Sequence, residues 1–143
     1  MEAIRVDDVM TRDVTTLKRN EKLTLADDVM NLGRIRHLPV LDDDGEELIG
    51  IVSQRDLFRG ALARAIGYGQ HARRKLLDSL LVKDVMVTDV IATTPETSLT
   101  DAARLLMERK IGCLPVLKGG QLVGILTEGD FVALYVRNSR KPG

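Results

Sequence analysis

The chain has 143 residues, of which 44% are hydrophobic and 3% aromatic, with no Trp and a formal net charge of zero. That balance gives no general attraction to nucleic acid, and a core without aromatics must be aliphatic, so a planar ligand would lie mostly between Val, Ile, Leu and Met side chains. The one cysteine, Cys113, can close no intrachain disulfide and has no CxxC partner for zinc, and neither an apolar leader nor a run of about 18 apolar residues occurs; a soluble cytoplasmic protein with no membrane span is expected.

In chain order, Asp8-Val9-Met10 predicts a turn and Val14 to Leu17 a short strand. Leu23, Ala26, Val29, Met30 and Gly33 recur at three- and four-residue spacing, which predicts a helix with one stripe inward. Strands Leu38 to Leu41 and Leu48 to Val52 follow, joined through Asp43-Asp44-Gly45, a hairpin signal. A helix from Asp56 to about Ile66 closes this set. In the connector, residues 61–80, Gly67-Tyr68-Gly69 breaks a helical pattern that resumes from Arg73 to Leu81.

The same order then returns. Asp84-Val85-Met86 is followed by the run Val90 to Thr93 and by a helix with Leu99, Ala102, Ala103, Leu106 and Ile111 inward. Ser98 and Asp101 form a capping box for that helix; Lys22 stands at the matching place in the first copy, whose helix must start differently. Strands Leu114 to Leu117 and Leu122 to Leu126 turn at Gly119-Gly120, a helix runs from Asp130 to about Arg137, and the polar residues 137–143 are expected to fray.

The offset between copies is 76 residues from Val9/Val85 to Pro39/Pro115 and 74 at Gly50/Gly124. The two missing residues fall in the hairpin turn, where a deletion is tolerated, so the chain is a duplicated β-α-β-β-α unit, 5–60 and 81–136. Each copy is marginal alone, which predicts a shared core. Charge is uneven: residues 1–58 hold 8 cations and 13 anions, residues 59–80 hold 5 and 1, and residues 81–143 hold 8 and 7.

The strongest chemical signal is the strand-to-helix junction Gly50-Ile51-Val52-Ser53-Gln54-Arg55-Asp56 and its counterpart, Gly124 to Asp130. In each, a glycine permits close backbone approach, the strand ends on a hydroxyl residue, and a carboxylate follows three residues later. A Ser/Thr-x-x-Asp/Glu helix cap fits that pattern. So does a nucleotide grip, with helix N–H groups facing anionic oxygens and the carboxylate accepting hydrogen bonds from ribose hydroxyls.

The ordered set DVM, DV, helix, LPV and GI(V/L)(S/T)xxD, present twice, resembles a tandem pair of CBS (cystathionine-β-synthase) domains, a Bateman module, over nearly the whole chain except connector and tail. The resemblance implies an α/β (α+β) fold in which two β-α-β-β-α repeats pack sheet to sheet about a pseudo-two-fold axis. It also implies clefts between the repeats that take AMP, ADP or ATP, and in some members S-adenosylmethionine or NAD-type molecules, and association as homodimers. By position, Ser53 and Asp56 would hold the ribose and phosphate-proximal hydroxyls of one ligand, and Thr127 and Asp130 those of another. Thr11-Arg12 and Val87-Thr88 match the region that meets base or sugar. Ile35, Arg36 and His37, with Ile111, Gly112 and Cys113, match the region that lines the base and reaches phosphate.

The first copy has Arg36, His37 and Arg55, with Arg34 nearby, where the second has Gly112, Cys113, Gly129 and Lys110. Guanidinium is the natural phosphate partner, so unequal sites are expected. The functional expectation is a regulatory, energy-sensing module that binds adenine nucleotides, reports through a change in module or dimer geometry, and acts on a partner enzyme or transporter. No catalytic cofactor, metal site or enzyme activity is expected, because no nucleophile–base pair, Walker loop, GxSxG, HExxH or GxGxxG motif is present. The alternative is a nucleotide-independent dimeric scaffold that docks a partner through Arg73, Arg74 and Lys75.

Three sharper signals dissolve on inspection. Setting Gly45 on the glycine of a calcium-binding EF-hand puts Val40 and Ile51 at ligand positions, so Asp42-Asp43-Asp44 is a solvated turn. His37 and Cys113, at matching positions, are expected as half-buried structural residues rather than a two-ligand metal site. Met10, Met30, Met86 and Met107 are expected to fill the core.

Overall fold

The computed structural model describes residues 4–60 and 69–139. Its elements in chain order are α1 (Val6–Val9), β1 (Leu17–Lys18), α2 (Leu23–Gly33), β2 (His37–Leu41), β3 (Leu48–Ser53), α3 (Gln54–Gly60), α4 (Gly69–Ser79), α5 (Val82–Val85), α6 (Leu99–Arg109), β4 (Cys113–Lys118), β5 (Gln121–Thr127) and α7 (Glu128–Ser139). The fold is mixed α/β, with the β-α-β-β-α order complete in the first copy and, in the second, the opening strand reduced to a single bridge. Residues 61–68, which include Gly67, Tyr68 and the end of the first closing helix, and residues 140–143 lie outside the described residues. Among the described residues no helix is long and apolar enough to cross a membrane.

Both expected hairpins form. In the first, Leu38 faces Val52 and Val40 faces Gly50; in the second, Leu114 faces Leu126 and Val116 faces Gly124. Gly45, Gly119 and Gly120 turn the chain at positive φ, and Asp42 accepts from the Glu46 and Glu47 amides, which pulls its carboxyl below the usual range.

The outer strand starts later than the expected Val14 to Leu17. Only Leu17–Lys18 pairs, parallel to β2 at Val40 and Leu41, and its counterpart is the single bridge Thr93 to Val116. Proline sets this limit. Ile51, opposite Pro39, spends its N–H and carbonyl on Val87, so Pro39 turns its donor-less nitrogen toward the β1 side, and parallel pairing begins only beyond it.

Two compact units result, a split unit within Met1–Val14 and Ile91–Gly143 and a continuous unit within Thr15–Val90. Both are offset from the sequence repeats, because each copy's opening segment joins the sheet of the other copy. In the split unit, Val6 N donates to the Thr97 carbonyl (2.9 Å), Leu99 N to that of Ile4 (2.8 Å), and Thr11 exchanges both backbone hydrogen bonds with Ile125 (2.9 and 2.9 Å). In the continuous unit Val82 N donates to Glu21 (2.8 Å), Leu23 N to Leu80 (2.8 Å), and Val87 pairs with Ile51 (2.8 and 3.0 Å). The Leu80 and Ile4 carbonyls thus satisfy a free N–H at the start of α2 and of α6. At α6 Ser98 adds the expected side-chain cap on the Asp101 amide (3.1 Å), while at α2 Lys22 makes none and Thr24 instead donates to Asp78 Oδ1 (2.9 Å).

The buried residues fall into two clusters, one in each unit. One cluster joins Leu17, Leu23, Ala26, Met30, Leu38, Val40, Val52, Leu57, Leu77 and Val82. The other joins Val6, Val9, Met10, Leu99, Ala102, Leu106, Leu114, Val116 and Leu126. Each cluster draws on both copies, since Val82 enters the first and Val6, Val9 and Met10 the second. The dependence of the copies on one another is therefore met by exchanging segments. Met107 departs from the expected core filling, being 79% exposed. It follows Leu106 by one helical step, which rotates it about 100° off the buried stripe.

Helices α2 and α6 both end on a non-glycine residue in the left-handed region, Arg34 (φ 54°) and Lys110 (φ 55°). A Cβ there carries a steric cost that glycine avoids. Lys110→Gly is accordingly expected to stabilise the chain by about 0.5–1 kcal/mol, read as a higher midpoint in urea unfolding. Helix α7 also runs further than expected, so residues 137–139 are its last turn rather than a frayed tail, with Ser139 Oγ donating to the Tyr135 carbonyl (2.9 Å). Polar residues alone do not stop a helix, and no proline follows until Pro142.

In the continuous unit α4 buries Leu77, packs Leu76 against the same cluster, and adds charged contacts. Arg73 reaches Asp27 Oδ1 (3.1 Å), and Arg74 holds both oxygens of Asp28 (3.1 and 3.2 Å). The Arg74 hydrogen bond holds the Asp28 carboxyl below its ordinary value, and the Arg74 guanidinium is raised in turn. A depressed carboxyl contributes stability above its unfolded pKa and loses it as the pH falls through the lowered value. The melting difference between wild type and Arg74→Ala is therefore expected to be small at neutral pH, since the pair is exposed, and to vanish on acidification through the carboxylate range.

Candidate functional site

Both strand-to-helix junctions close around a carboxylate, the first as a reciprocal cap. In the continuous unit, Asp56 Oδ2 accepts from Ser53 N (2.8 Å) and Ser53 Oγ (2.9 Å), while Asp56 N donates back to Ser53 Oγ (3.1 Å). In the split unit, Asp130 Oδ2 accepts from Thr127 N (2.9 Å) and, at 3.4 Å, from Thr127 Oγ1, and Asp130 Oδ1 accepts from Thr11 Oγ1 (2.9 Å). The four side chains are half-buried, so each carboxylate is held in place yet open to solvent. The cap and the grip are thus compatible, because the cap uses one carboxylate oxygen.

The segment before each hairpin is tied to the same junction. Gln54 N donates to the Arg36 carbonyl (2.9 Å) and Glu128 N to that of Gly112 (3.4 Å). His37 stands opposite Ser53, half-buried, and Cys113 opposite Thr127, buried. Ile35 and Ile111 lean on the two cores. Among the described residues no group of three or more His, Cys, Asp or Glu side chains could hold a metal ion.

The exchanged segments complete the grouping. Thr11 and Arg12 join Ile111, Gly112, Cys113, Thr127 and Asp130 in the split unit, and Thr88 joins Ile35, Arg36, His37, Ser53, Arg55 and Asp56 in the continuous one. Each junction therefore combines residues of both sequence copies. Arg12 turns away to the Asp7 carbonyl, its Nη2 at 2.8 Å. Arg36 and Arg55 are exposed, and among the described residues their side chains make no hydrogen bond or ion pair.

The glycine of each junction is where the exchanged segment presses closest. A Cβ on Gly124 would lie 2.6 Å from Met10 Sδ and 3.0 Å from the Thr11 carbonyl oxygen; on Gly50 it would lie 2.8 Å from Met86 Sδ and 3.0 Å from that of Val87. A glycine, a hydroxyl, a capping carboxylate and a borrowed methionine segment recur at both ends of one duplication. The model of the CBS domain matches residues 6–63 and again residues 82–137. The chain belongs to the CBS-domain family.

Solved CBS proteins carry the same fold. The crystal structure of an acetoin-utilization candidate (AcuB) from Vibrio cholerae is 36% identical and superposes with a TM-score of 0.80, covering 99% of this chain and all of that one. CBSX2, crystallised in complex with AMP, is 31% identical with a TM-score of 0.75, covering 96% of this chain and 99% of that one. An uncharacterized protein of Methanocaldococcus jannaschii is 30% identical over 90% of this chain. The chain spans 42% of that relative's length and 34% of a second relative's from the same organism.

Within this CBS pair the residues that sequence reasoning passed over are Met10 and Met86 as occupants of the glycine notches, and Gln54 and Glu128 in the first turn of α3 and α7. The methionines carried a signal, the fixed 76-residue offset shared by both, but nothing local says which sheet each one meets. The Gln54/Glu128 difference was also visible, and it sharpens the contrast between copies. The first copy offers Arg36 and Arg55 beside a neutral Gln54, where the second offers Gly112 and Gly129 beside an acidic Glu128.

Proposed function

We propose that this CBS pair is a regulatory ligand-binding protein that takes adenosine-containing nucleotides, AMP, ADP or ATP, at the Ser53/Asp56 and Thr127/Asp130 junctions. The observation that carries the reading is the pair of half-buried carboxylates, each held by its neighbouring hydroxyl residue at a helix start and each in a unit that a segment of the other copy completes. Complex formation of a 31% identical relative with AMP supports it. A ribose meets the carboxylate, and phosphate meets the helix N–H groups. The exposed Arg36 and Arg55 give the continuous unit the better polyphosphate site.

A nucleotide seated there touches segments that come from both copies, so it can favour one arrangement of the chain, or of a homodimer, over another. Reporting follows if the two arrangements bind it with different affinity. The regulated partner is then an enzyme or transporter that reads that change. The scaffold alternative loses ground because Arg73 and Arg74, two of the three cations it needs, are spent on Asp27 and Asp28.

Isothermal titration with AMP and ATP tests the proposal. Two unlike sites are expected, with ATP preferring the continuous unit and Arg36→Ala with Arg55→Ala weakening ATP more than AMP. Absence of heat and of thermal stabilisation with AMP, ADP and ATP rejects it.

A further inference from the structure

Resting on the nucleotide reading above, we propose that Thr11 competes with the ligand for the Asp130 carboxylate, so that a nucleotide's ribose enters the continuous unit, where Val87 replaces Thr11, ahead of the split unit. Thr11 and Val87 are equivalent in position. Each exchanges both backbone hydrogen bonds with the strand residue just after the junction glycine, Thr11 with Ile125 and Val87 with Ile51. Their side chains therefore leave the backbone at the same place in the two units, and only one of them carries a hydroxyl.

The consequence shows in the carboxylates. Asp130 has both oxygens in use, Oδ2 on Thr127 and Oδ1 on Thr11 Oγ1 at 2.9 Å. Asp56 has Oδ2 on Ser53, and among the described residues Oδ1 has no partner. A ribose hydroxyl can donate to Asp56 Oδ1 without displacing protein. At Asp130 it must first displace the Thr11 hydroxyl, which is exposed and can rotate away to water. Threonine in this role is a latch that lowers affinity without touching the charge asymmetry set by Arg36 and Arg55. One methyl-for-hydroxyl difference thus favours filling the continuous unit first, in the same direction as the charge asymmetry.

The test is an NMR titration of the whole chain with AMP, following the Gly129 amide for the split unit and the Arg55 amide for the continuous unit, so that neither site is removed. Thr11→Val is expected to tighten AMP at the split unit about fivefold, the ratio equivalent to a net hydrogen bond of about 1 kcal/mol. Val87→Thr is expected to weaken the continuous unit by a similar factor, with each change confined to its own unit. Weaker or unchanged binding in Thr11→Val, with AMP still bound by the wild type, overturns the latch alone. No AMP-dependent shift at either amide in the wild type overturns the nucleotide reading itself and the latch with it.

Discussion

Gly124→Val is expected to lower the stability of the split unit by about 3 kcal/mol, because its side chain lands on Met10 Sδ at 2.6 Å and on the Thr11 carbonyl oxygen at 3.0 Å. A methionine end can swing aside, but the carbonyl belongs to the backbone pair between Thr11 and Ile125, and giving way there unseats the exchanged segment and withdraws Val6, Val9 and Met10 from their cluster. Equilibrium urea unfolding reads the loss. The milder Gly124→Ala is expected to recover part of its stability when combined with Met10→Ala, which removes the sulfur but leaves the carbonyl in place. Gly50→Val should do the same to the continuous unit through Met86 and Val87. A Gly124→Val chain as stable as the wild type would mean that the opening segment is not seated on this sheet.

Asp56→Ala is expected to weaken AMP binding at the continuous unit about thirtyfold, since a hydrogen bond to a charged group is worth about 2 kcal/mol. The same change removes the acceptor of Ser53 N and Oγ, so it also costs helix α3 the carboxylate half of its capping box, about 1 kcal/mol of stability, while Asp56 N still donates to Ser53 Oγ. Asp56→Asn separates the two effects, because an amide oxygen still accepts from Ser53 N while the charge is gone. The ligand reading predicts a large loss of AMP affinity in both variants by isothermal titration and a fall in melting temperature mainly in Asp56→Ala. Equal melting losses with unchanged affinity would assign Asp56 to the cap alone.

Much of this molecule was legible in the chain. The hairpins, their turns, the inward stripes of α2 and α6 and the Ser98 cap follow from local chemistry, namely alternating or helical apolar spacing, glycines at positive φ and a hydroxyl three residues before a carboxylate. So do the junctions, because Ser53/Asp56 and Thr127/Asp130 meet within four consecutive residues. The misses are equally physical. Met107 looked like core by residue type, but a helix has a second face. The outer strand starts late because a proline on the neighbouring strand withholds a donor, and residues 137–139 stayed helical because polarity without a breaker ends nothing.

By itself the sequence determined that the chain is a duplication, that each copy carries a carboxylate three residues after a hydroxyl on a glycine-bearing strand, and that the junction arginines, Arg36 and Arg55, stand on one copy where the other has Gly112 and Gly129, since each of these is written in residues close together along the chain. Only the tertiary structure decided which opening segment serves which sheet, and therefore that Thr11 belongs with Asp130 and Val87 with the Asp56 junction. The reason is that these segments attach through backbone hydrogen bonds and a methionine in a glycine notch. Both copies offer that attachment alike, so the choice between them lies in how the whole chain closes and not in any local pattern.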